Sequence, residues 1–185
     1  MSVKEPKFIV LGKEDGYEIR EYVPTIEARV MVEGKYKEAM TAGFRILAGY
    51  IFGGNTRKQP IAMTAPVSEQ GSESIAMTAP VSNTQLTKSS RVVSFVMPEE
   101  YTLATLPAPD DSHIELLEVP ARTSAALVYS GYATASKVEK MKAKLLQCLE
   151  RDNVAIMGVP RSARYNPPWT LPFMMRNEIL VDIKK

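Results

Sequence analysis

The sequence has very few of the residues from which metal centres and disulfide frameworks are built. Its 185 residues include a single cysteine, Cys148, and a single histidine, His113. One cysteine cannot form an internal disulfide, and a structural zinc site or bis-histidine ligation would need more ligands than the chain offers. Catalysis of the Ser/His/Asp or Cys/His type would depend on His113, which follows Asp110, Asp111 and Ser112 in a polar stretch typical of an exposed loop. We therefore predict no metal site and assign no catalytic residue.

A strong charge of either sign is also absent. The 23 basic and 21 acidic side chains give a formal net charge of +2, which is too small to steer nucleic acid or an anionic membrane toward the protein. Residues 1–10 contain no long apolar run of the kind that a signal peptide or a membrane span needs. We expect a cytoplasmic protein with no nucleic-acid partner and no membrane span, and the sequence leaves its oligomeric state open.

What the chain does contain is enough apolar material for a core. Hydrophobic residues make up 45% of the 185 residues, and this length is near the usual size of one domain. We therefore expect one domain over residues 1–185.

The first part of the chain predicts two strands followed by a helix. Residues 17–32 indicate two strands around a turn at Pro24, because apolar residues alternate with polar ones after the turn. The next apolar residues recur at intervals of three or four, and Gly53 and Gly54 follow where a helix would end. This pattern predicts an amphipathic helix of about four turns. Its apolar positions are Tyr36, Met40, Phe44, Leu47 and Ile51.

The same order of elements returns in the second half of the chain. The segment YEIREYVPTIEARVMVEG at 17–34 aligns with IELLEVPARTSAALVYSG at 114–131 with one gap, which pairs Pro24 with Pro120 and Gly34 with Gly131. A second helix is predicted near 136–151. A strand-strand-helix-strand unit cannot cover its own apolar faces. We therefore predict two repeats, about 8–98 and 99–185, packed around a pseudo-twofold axis with a ligand cleft at that axis.

A shorter repeat lies between the first helix and the next predicted strand. IAMTAPVS occurs at 61–68 and again at 75–82, and the linker EQGSES between the copies is turn-like. Two copies are too few for a solenoid, so we predict a hairpin or two extended segments around a surface turn. Residues 91–97 are a predicted buried strand, and the proline-containing stretch 98–111 connects the two halves.

The most distinctive segment is RYNPPWTLPFMMRNEILVDI at 164–183. Its aromatic residues, methionines and prolines indicate a stiff apolar loop, which either seals the core as a lid or also contacts a ligand. In the strand that follows, alternation places Glu178 on the opposite face from Ile179, Val181 and Ile183. That face is either solvent or pocket. A carboxylate buried in a pocket would indicate function, because its burial is costly without a cation or a donor.

Together these motifs resemble the SOUL heme-binding family in its prokaryotic form. The resemblance spans about residues 8–183. It rests on YEIREY, on GYIFGGN at the end of the first helix, on IAMTAPV and FVMPEEY, and on YNPPW followed by PF and RNE. It implies an α+β fold of two pseudo-symmetric βαβ-type repeats, which form a distorted antiparallel β-barrel flanked by two main helices. The same arrangement is shared with GyrI-like effector-binding domains.

The resemblance also implies a ligand. Members of the family bind heme or other tetrapyrroles, in some cases through an apolar patch along the first helix and in one vertebrate branch through a proposed histidine ligand. In this sequence Glu21 stands where that histidine would be. We therefore expect a carrier, buffer or sensor that holds heme, a porphyrin or another planar apolar ligand without histidine ligation. The expected ligand-binding residues are Met40, Phe44, Leu47, Met63, Tyr165, Trp169, Phe173 and Glu178.

Two other functions remain open. By resemblance to the effector-binding relatives, Glu178 is a candidate to engage amphipathic or cationic small molecules, or to act as the general base of a hydrolase with Tyr165 nearby. No recognisable nucleophile motif supports catalysis. The third hypothesis is a protein-interaction module with no small ligand, which exposed apolar residues on a helix would favour.

Overall fold

The computed structural model describes residues 5–57, 60–62, 67–71, 90–166 and 169–184. Within these ranges the chain forms one nine-stranded antiparallel sheet and two α-helices, which confirms the predicted α+β class. The elements in chain order are β1 (Phe8–Glu14), β2 (Tyr17–Tyr22), β3 (Thr25–Glu33), α1 (Tyr36–Ile51), β4 (Val67–Gly71), β5 (Ser90–Val96), β6 (Ile114–Val119), β7 (Arg122–Tyr129), α2 (Ala135–Arg151), β8 (Ile156–Arg164) and β9 (Asn177–Ile183). A 3₁₀ turn at Pro172–Met174 precedes β9. In the described ranges, neither helix combines the length and apolarity that crossing a bilayer requires.

Strands from both halves of the chain are interleaved in the sheet. Their order is β1-β2-β7-β9-β8-β4-β5-β3-β6, so β2 pairs with β7 while the next strand along the chain, β3, pairs with β6. β1 and β6 are the two end strands of this described sheet, which is therefore curled but not closed into a barrel. The curl is evident from Arg122 of β7, which reaches Glu27 of β3 although four strands separate β7 from β3 in the sheet.

Helix α1 begins and ends where the sequence predicts. Gly34, at φ 122°, precedes it, and Gly53, at φ 112°, follows it, so both ends use a backbone conformation that glycine adopts without strain. The helix packs on β3 and β5 with its apolar face inward. Gly43 lies at the contact, where a Cβ would stand only 2.5 Å from a methyl carbon of Val93. The absence of a side chain at this position therefore allows the helix to approach the sheet closely.

Helix α2 covers the other half of the same sheet face. Its N-cap is Thr134, whose hydroxyl oxygen accepts a hydrogen bond from the backbone N–H of Lys137. Val138, Leu145 and Leu149 are fully buried against residues of β7 and β9. Full burial of a side chain of this size stabilises the fold by about 1.5–3 kcal/mol.

Alternation along the strands divides the sheet into two chemically different faces. The face under the helices is apolar, with residues such as Val30, Phe95, Leu127 and Ile179 in its two core clusters. The opposite face, which the curl turns inward, is called the inner face here. It has a small apolar cluster around Leu180 but is otherwise rich in charged and hydroxyl side chains, which are Arg20, Glu27, Arg29, Ser94, Arg122, Ser124, Arg161, Glu178 and Asp182.

The short repeat is only partly visible. β4 begins at Val67, inside the first IAMTAPVS copy. The second copy, residues 75–82, lies outside the described residues, and so does Met63. The predicted hairpin through both copies therefore stays a prediction.

Candidate functional site

An ion pair between Arg20 and Glu178 is buried on the inner face. Nη1 of Arg20 donates to a carboxylate oxygen of Glu178 at 2.9 Å, and both side chains are at most 5% exposed. The hydroxyl of Tyr165 donates to the same carboxylate oxygen at 2.6 Å. Nε of Arg176 lies 3.7 Å from the second oxygen. The carboxylate of Glu178 is therefore stabilised by protein donors, as a buried charge requires.

Aromatic rings surround this ion pair. The guanidinium of Arg20 lies 4.5 Å from the ring centre of Phe8, and that of Arg176 lies 3.8 Å from the ring centre of Tyr165. Tyr22 accepts a hydrogen bond from Nη1 of Arg20 at 3.3 Å. Burial, followed by the charge of Glu178, raises the pKa of Tyr165 well above its ordinary value. Tyr165 is therefore a neutral hydrogen-bond donor at physiological pH.

A second charged cluster connects strands β3 and β7, which lie far apart in the sheet order. Glu27 of β3 accepts hydrogen bonds from Arg29 at 3.1 Å and from Arg122 at 3.2 Å. Asp182 of β9 lies 3.0 Å from Nη2 of Arg161. Burial alone would raise the pKa of each carboxyl group, but the neighbouring arginines outweigh it and hold both pKa values below the ordinary range.

The cavity beside this second cluster is small. Its volume is about 110 Å³, and its walls come from both sides of the curled sheet. Pockets that enclose a drug-sized ligand have volumes of about 300–1,000 Å³. A tetrapyrrole is at least as large as such a ligand, so this cavity cannot enclose one in the conformation described.

A large apolar surface lies elsewhere, on two loops that are hydrogen-bonded to each other. The backbone N–H of Gly131 donates to the carbonyl of Pro172 at 2.9 Å, and Nδ2 of Asn177 donates to the carbonyl of Gly131 at 2.8 Å. These bonds join the connection between β7 and α2 to the loop before β9. Their side chains Tyr132, Trp169, Leu171, Phe173 and Met174 are 56–83% exposed, and we call them the aromatic loop surface.

Basic side chains lie next to the aromatic loop surface. Nη2 of Arg164 donates to the carbonyl of Ala133 at 3.0 Å and to the hydroxyl of Tyr36 at 2.7 Å. The guanidinium groups of Arg164 and Arg91 lie 5.5 and 4.8 Å from the ring centre of Tyr36. Ala133 follows Tyr132, so its contact with Arg164 brings Arg164, and with it Tyr36 and Arg91, to this edge of the aromatic loop surface.

The structure separates the predicted ligand-binding residues into three places. Met40 and Leu47 of α1 are buried in the core, and Phe44 of the same helix is 41% exposed, with its ring centre 5.5 Å from that of Phe95. Tyr165 and Glu178 are hydrogen-bonded to each other on the inner face.

The two remaining described members of that set are in the aromatic loop surface. Trp169 is 83% exposed and Phe173 is 75% exposed. They do not cover the core as a lid would, because most of each side chain faces solvent. Met63 lies outside the described residues.

The expectation of binding without histidine ligation depends on two positions, His113 and Glu21. His113 is 80% exposed at its side chain, and its Nδ1 lies 2.7 Å from a carboxylate oxygen of Asp111. Glu21, which stands where a branch of the family has histidine, shares a face of β2 with Tyr17 and Ile19. Among the described residues there is also no group of three or more His, Cys, Asp or Glu side chains that could hold a metal ion.

Sequence reasoning missed several residues of these sites. Arg20 was not predicted as the partner of Glu178, and the pair Arg122 and Arg161 was not singled out. The strand pattern could have indicated that these arginines lie on a buried face. Arg20 shares a strand face with Tyr22, and Arg161 shares one with Ala163, because residues two apart point to the same side, and both of these neighbours are buried. The distant partners themselves depend on the sheet order, which local patterns do not specify.

The curled antiparallel sheet, two helices on one face and exposed apolar loop residues define an α+β protein with a solvent-facing apolar surface. The family model described as SOUL heme-binding protein matches residues 3–182, so the chain belongs to the SOUL heme-binding family. It is also similar to heme-binding protein 1 of Xenopus laevis, with 29% identity over 178 residues that cover 95% of this chain and 88% of the relative.

Solved structures share this fold at low sequence identity. The C-terminal domain of EcmrR superposes with a TM-score of 0.67 at 12% identity and covers 91% of this chain and 98% of that one. A hydrolase encoded by lin2189 from Listeria innocua superposes with a TM-score of 0.57 at 13% identity and covers 98% and 93%. At these identities the similarity establishes the fold alone.

Proposed function

We propose that this protein binds heme or a related tetrapyrrole on the aromatic loop surface, without histidine ligation. The observation that carries the proposal is the exposure of Tyr132, Trp169, Leu171, Phe173 and Met174 on two hydrogen-bonded loops. Contiguous exposed apolar surface in a protein marks a place where a ligand or partner binds. A planar macrocycle matches such a surface because it can contact aromatic side chains with one whole face.

The size of the inner cavity supports a surface site. The cavity of about 110 Å³ is too small for a macrocycle, and its walls are charged. Met40 and Leu47 are already packed in the core and have no free surface to offer. A tetrapyrrole that binds the loops would leave one face accessible, which suits a carrier, buffer or sensor from which the ligand must leave again.

The neighbouring arginines suit the propionate groups of heme. Arg164 lies at the edge of the aromatic loop surface, where it donates a hydrogen bond to the carbonyl of Ala133. Arg91 and Arg164 both lie beside the ring of Tyr36. A guanidinium group can bind a carboxylate through two parallel hydrogen bonds. We propose that the macrocycle lies on the aromatic residues with its propionates toward Arg164.

The only histidine is poorly suited to hold the iron. His113 is in a polar turn and bonded to Asp111, outside the loops that form the aromatic loop surface. We therefore propose binding through apolar contact and propionate pairing, with at most a weak sulfur ligand such as Met174, whose side chain is exposed in the same loop.

Trp169 provides a direct test, since it is the only tryptophan in the chain. Hemin and metal-free protoporphyrin are titrated separately while Trp169 fluorescence and the Soret band are recorded. We expect saturable quenching at one equivalent for both ligands. Phe173→Ala should weaken both by about tenfold, because an aromatic contact of about 1.5 kcal/mol or more is lost.

Phe52→Ala is the matched control. Phe52 is 71% exposed but follows the C-terminus of α1, about 24 Å along the helix from Tyr36. Its substitution should leave the titration unchanged. Quenching that never saturates, or an equal loss of binding in both variants, would show that hemin adheres to exposed apolar residues in general and would refute the proposed site.

The hypothesis of a cationic ligand at Glu178 is less favoured by the geometry. Such a ligand would have to displace Arg20 from the carboxylate and then leave that arginine buried without its partner. The hypothesis of a protein-interaction module uses the same exposed loops. It predicts no saturable response to either tetrapyrrole, so the titration distinguishes it from tetrapyrrole binding.

A further inference from the structure

The small cavity on the inner face has an excess of positive charge. Three arginines, Arg29, Arg122 and Arg161, line it together with two carboxylates, Glu27 and Asp182. These five groups therefore carry one more positive than negative charge. This cavity is separate from the aromatic loop surface, since none of the five residues of that surface lines it.

The two carboxylates do not occupy all the donors of the three guanidinium groups. Nε of Arg29 donates to Glu27, and Nη2 of Arg122 donates to Glu27 while its Nε lies 3.9 Å from Asp182. Nη2 of Arg161 contacts Asp182 and the hydroxyl of Ser124. Nη1 of each arginine has no hydrogen-bond acceptor within the described ranges of the chain. A guanidinium group carries five N–H donors, so each side chain retains donors for a further acceptor.

The arginines are also crowded. Burial, followed by the charge of Arg161, lowers the pKa of Arg122. Arg161 itself is only 8% exposed. A buried positive charge that its neighbours do not fully compensate is costly, and an added anion would relieve that cost.

We propose that the cavity between Arg29, Arg122 and Arg161 binds one phosphate group. Its volume of about 110 Å³ suits a single small anion rather than a macrocycle. The hydroxyl-bearing residues Ser68 and Ser94 complete the wall and add donors of the kind that phosphate oxygens accept. Met157 and Gly158, at the rim, are exposed, so a ligand can enter from solvent.

The phosphate group could be a free phosphate ion or part of a larger phosphorylated molecule, and two probes distinguish these sources. Inorganic phosphate tests the anion alone, and glycerol 3-phosphate tests a phosphomonoester whose remainder must project past Met157. Both are titrated into the full chain with ionic strength held constant by sodium chloride, and binding is followed by calorimetry and by backbone amide shifts. We expect saturable 1:1 binding of inorganic phosphate, with shifts concentrated at the cavity walls. Equal affinity for glycerol 3-phosphate would assign the site to the phosphate end of a larger molecule.

Variants test which charges are responsible. Arg29→Gln should weaken phosphate by about tenfold, because a charge-assisted hydrogen bond is lost while Arg122 still neutralises Glu27. Arg45→Gln is the matched control, since Arg45 is exposed on α1. Asp182→Asn should instead tighten phosphate binding, because it removes a negative charge from the cavity wall. A purely structural role of these residues would not produce opposite signs.

The result that would overturn the proposal needs no variant. If the wild-type chain shows no saturable response to either probe, or if the amide shifts lie outside the cavity walls, the arginines serve only to hold the curled sheet together. The same conclusion follows if Arg29→Gln and Arg45→Gln change phosphate affinity equally. Hemin binding at the aromatic loop surface is independent of these outcomes.

Discussion

Arg20 and Glu178 form a buried ion pair across the strand that lies between them. Arg20 is in β2 and Glu178 is in β9, and each of these strands pairs with β7. Ala126 of β7 is fully buried on the same inner face, and its small side chain leaves room for the two longer ones to meet at 2.9 Å. The pair therefore connects residues 158 positions apart and fixes the relative position of three strands.

Glu178→Gln should destabilise the fold rather than only empty a ligand site. The substitution leaves the guanidinium of Arg20 buried with an uncompensated charge, and breaking a buried pair in this way costs about 3–5 kcal/mol. We expect a value near the lower limit, about 3 kcal/mol, because Glu18 also contacts Arg20 at 2.9 Å. Urea denaturation at pH 7 measures the loss.

Tyr165→Phe should lower the free energy of unfolding by less than Glu178→Gln does. It removes one hydrogen bond and keeps the ion pair, so it should cost about 1–2 kcal/mol. Glu118→Gln, at an exposed position of β6, is the control and should change little. A Glu178→Gln protein as stable as the wild type would mean that the ion pair does not contribute to stability.

The second cluster predicts that stability decreases in acid. The native pKa values of Glu27 and Asp182 lie below their ordinary values. Their contribution to the free energy of unfolding is therefore fully present above the ordinary carboxyl pKa, near 4, and is lost as the pH falls through the lower native pKa. Urea denaturation between about pH 3 and 7 should show the decline below about pH 4. Glu27→Gln should flatten the decline and Glu118→Gln should not.

Two glycines of α1 should respond oppositely to the same substitution. Gly43→Ala places a methyl group 2.5 Å from Val93 and should destabilise the protein by about 1–3 kcal/mol, because the core must shift. Gly49→Ala meets no atom within 4 Å and should stabilise it by about 0.4–1 kcal/mol. Thermal and urea unfolding of both variants provide the measurement. Equal effects at the two positions would show that helix propensity, rather than packing, governs both.

The Soret spectrum of hemin-loaded protein should be independent of histidine. His113→Ala removes the only imidazole, which is exposed and paired with Asp111. Because His113 is not part of the aromatic loop surface, we expect the same spectrum and the same hemin affinity as in the wild type. A lost or shifted Soret band in His113→Ala would require axial ligation by that histidine and would contradict the apolar surface site.

Local sequence patterns predicted most of the helices and strands, and the two strands that they did not predict have irregular patterns. The spacing of apolar residues gave α1 at the bounds that the structure shows, since an amphipathic helix is specified by near neighbours. β1 was missed, because its residues Ile9, Val10 and Leu11 are exposed on an end strand and show no alternation. β8 was missed because Gly158 and Pro160 interrupt it, and the register shifts between Met157 and Arg161.

The sequence by itself determined the family, the α+β class and the face of β9 on which Glu178 lies, since these depend on motifs and on the two-residue period of a strand. Only the tertiary structure decided what that face contains. Arg20 meets Glu178, and Arg122 meets Glu27, because a nine-stranded sheet interleaves and curls two distant halves of the chain. Such contacts depend on strand order and curvature, which arise from the packing of the whole chain and leave no mark in the spacing of neighbouring residues.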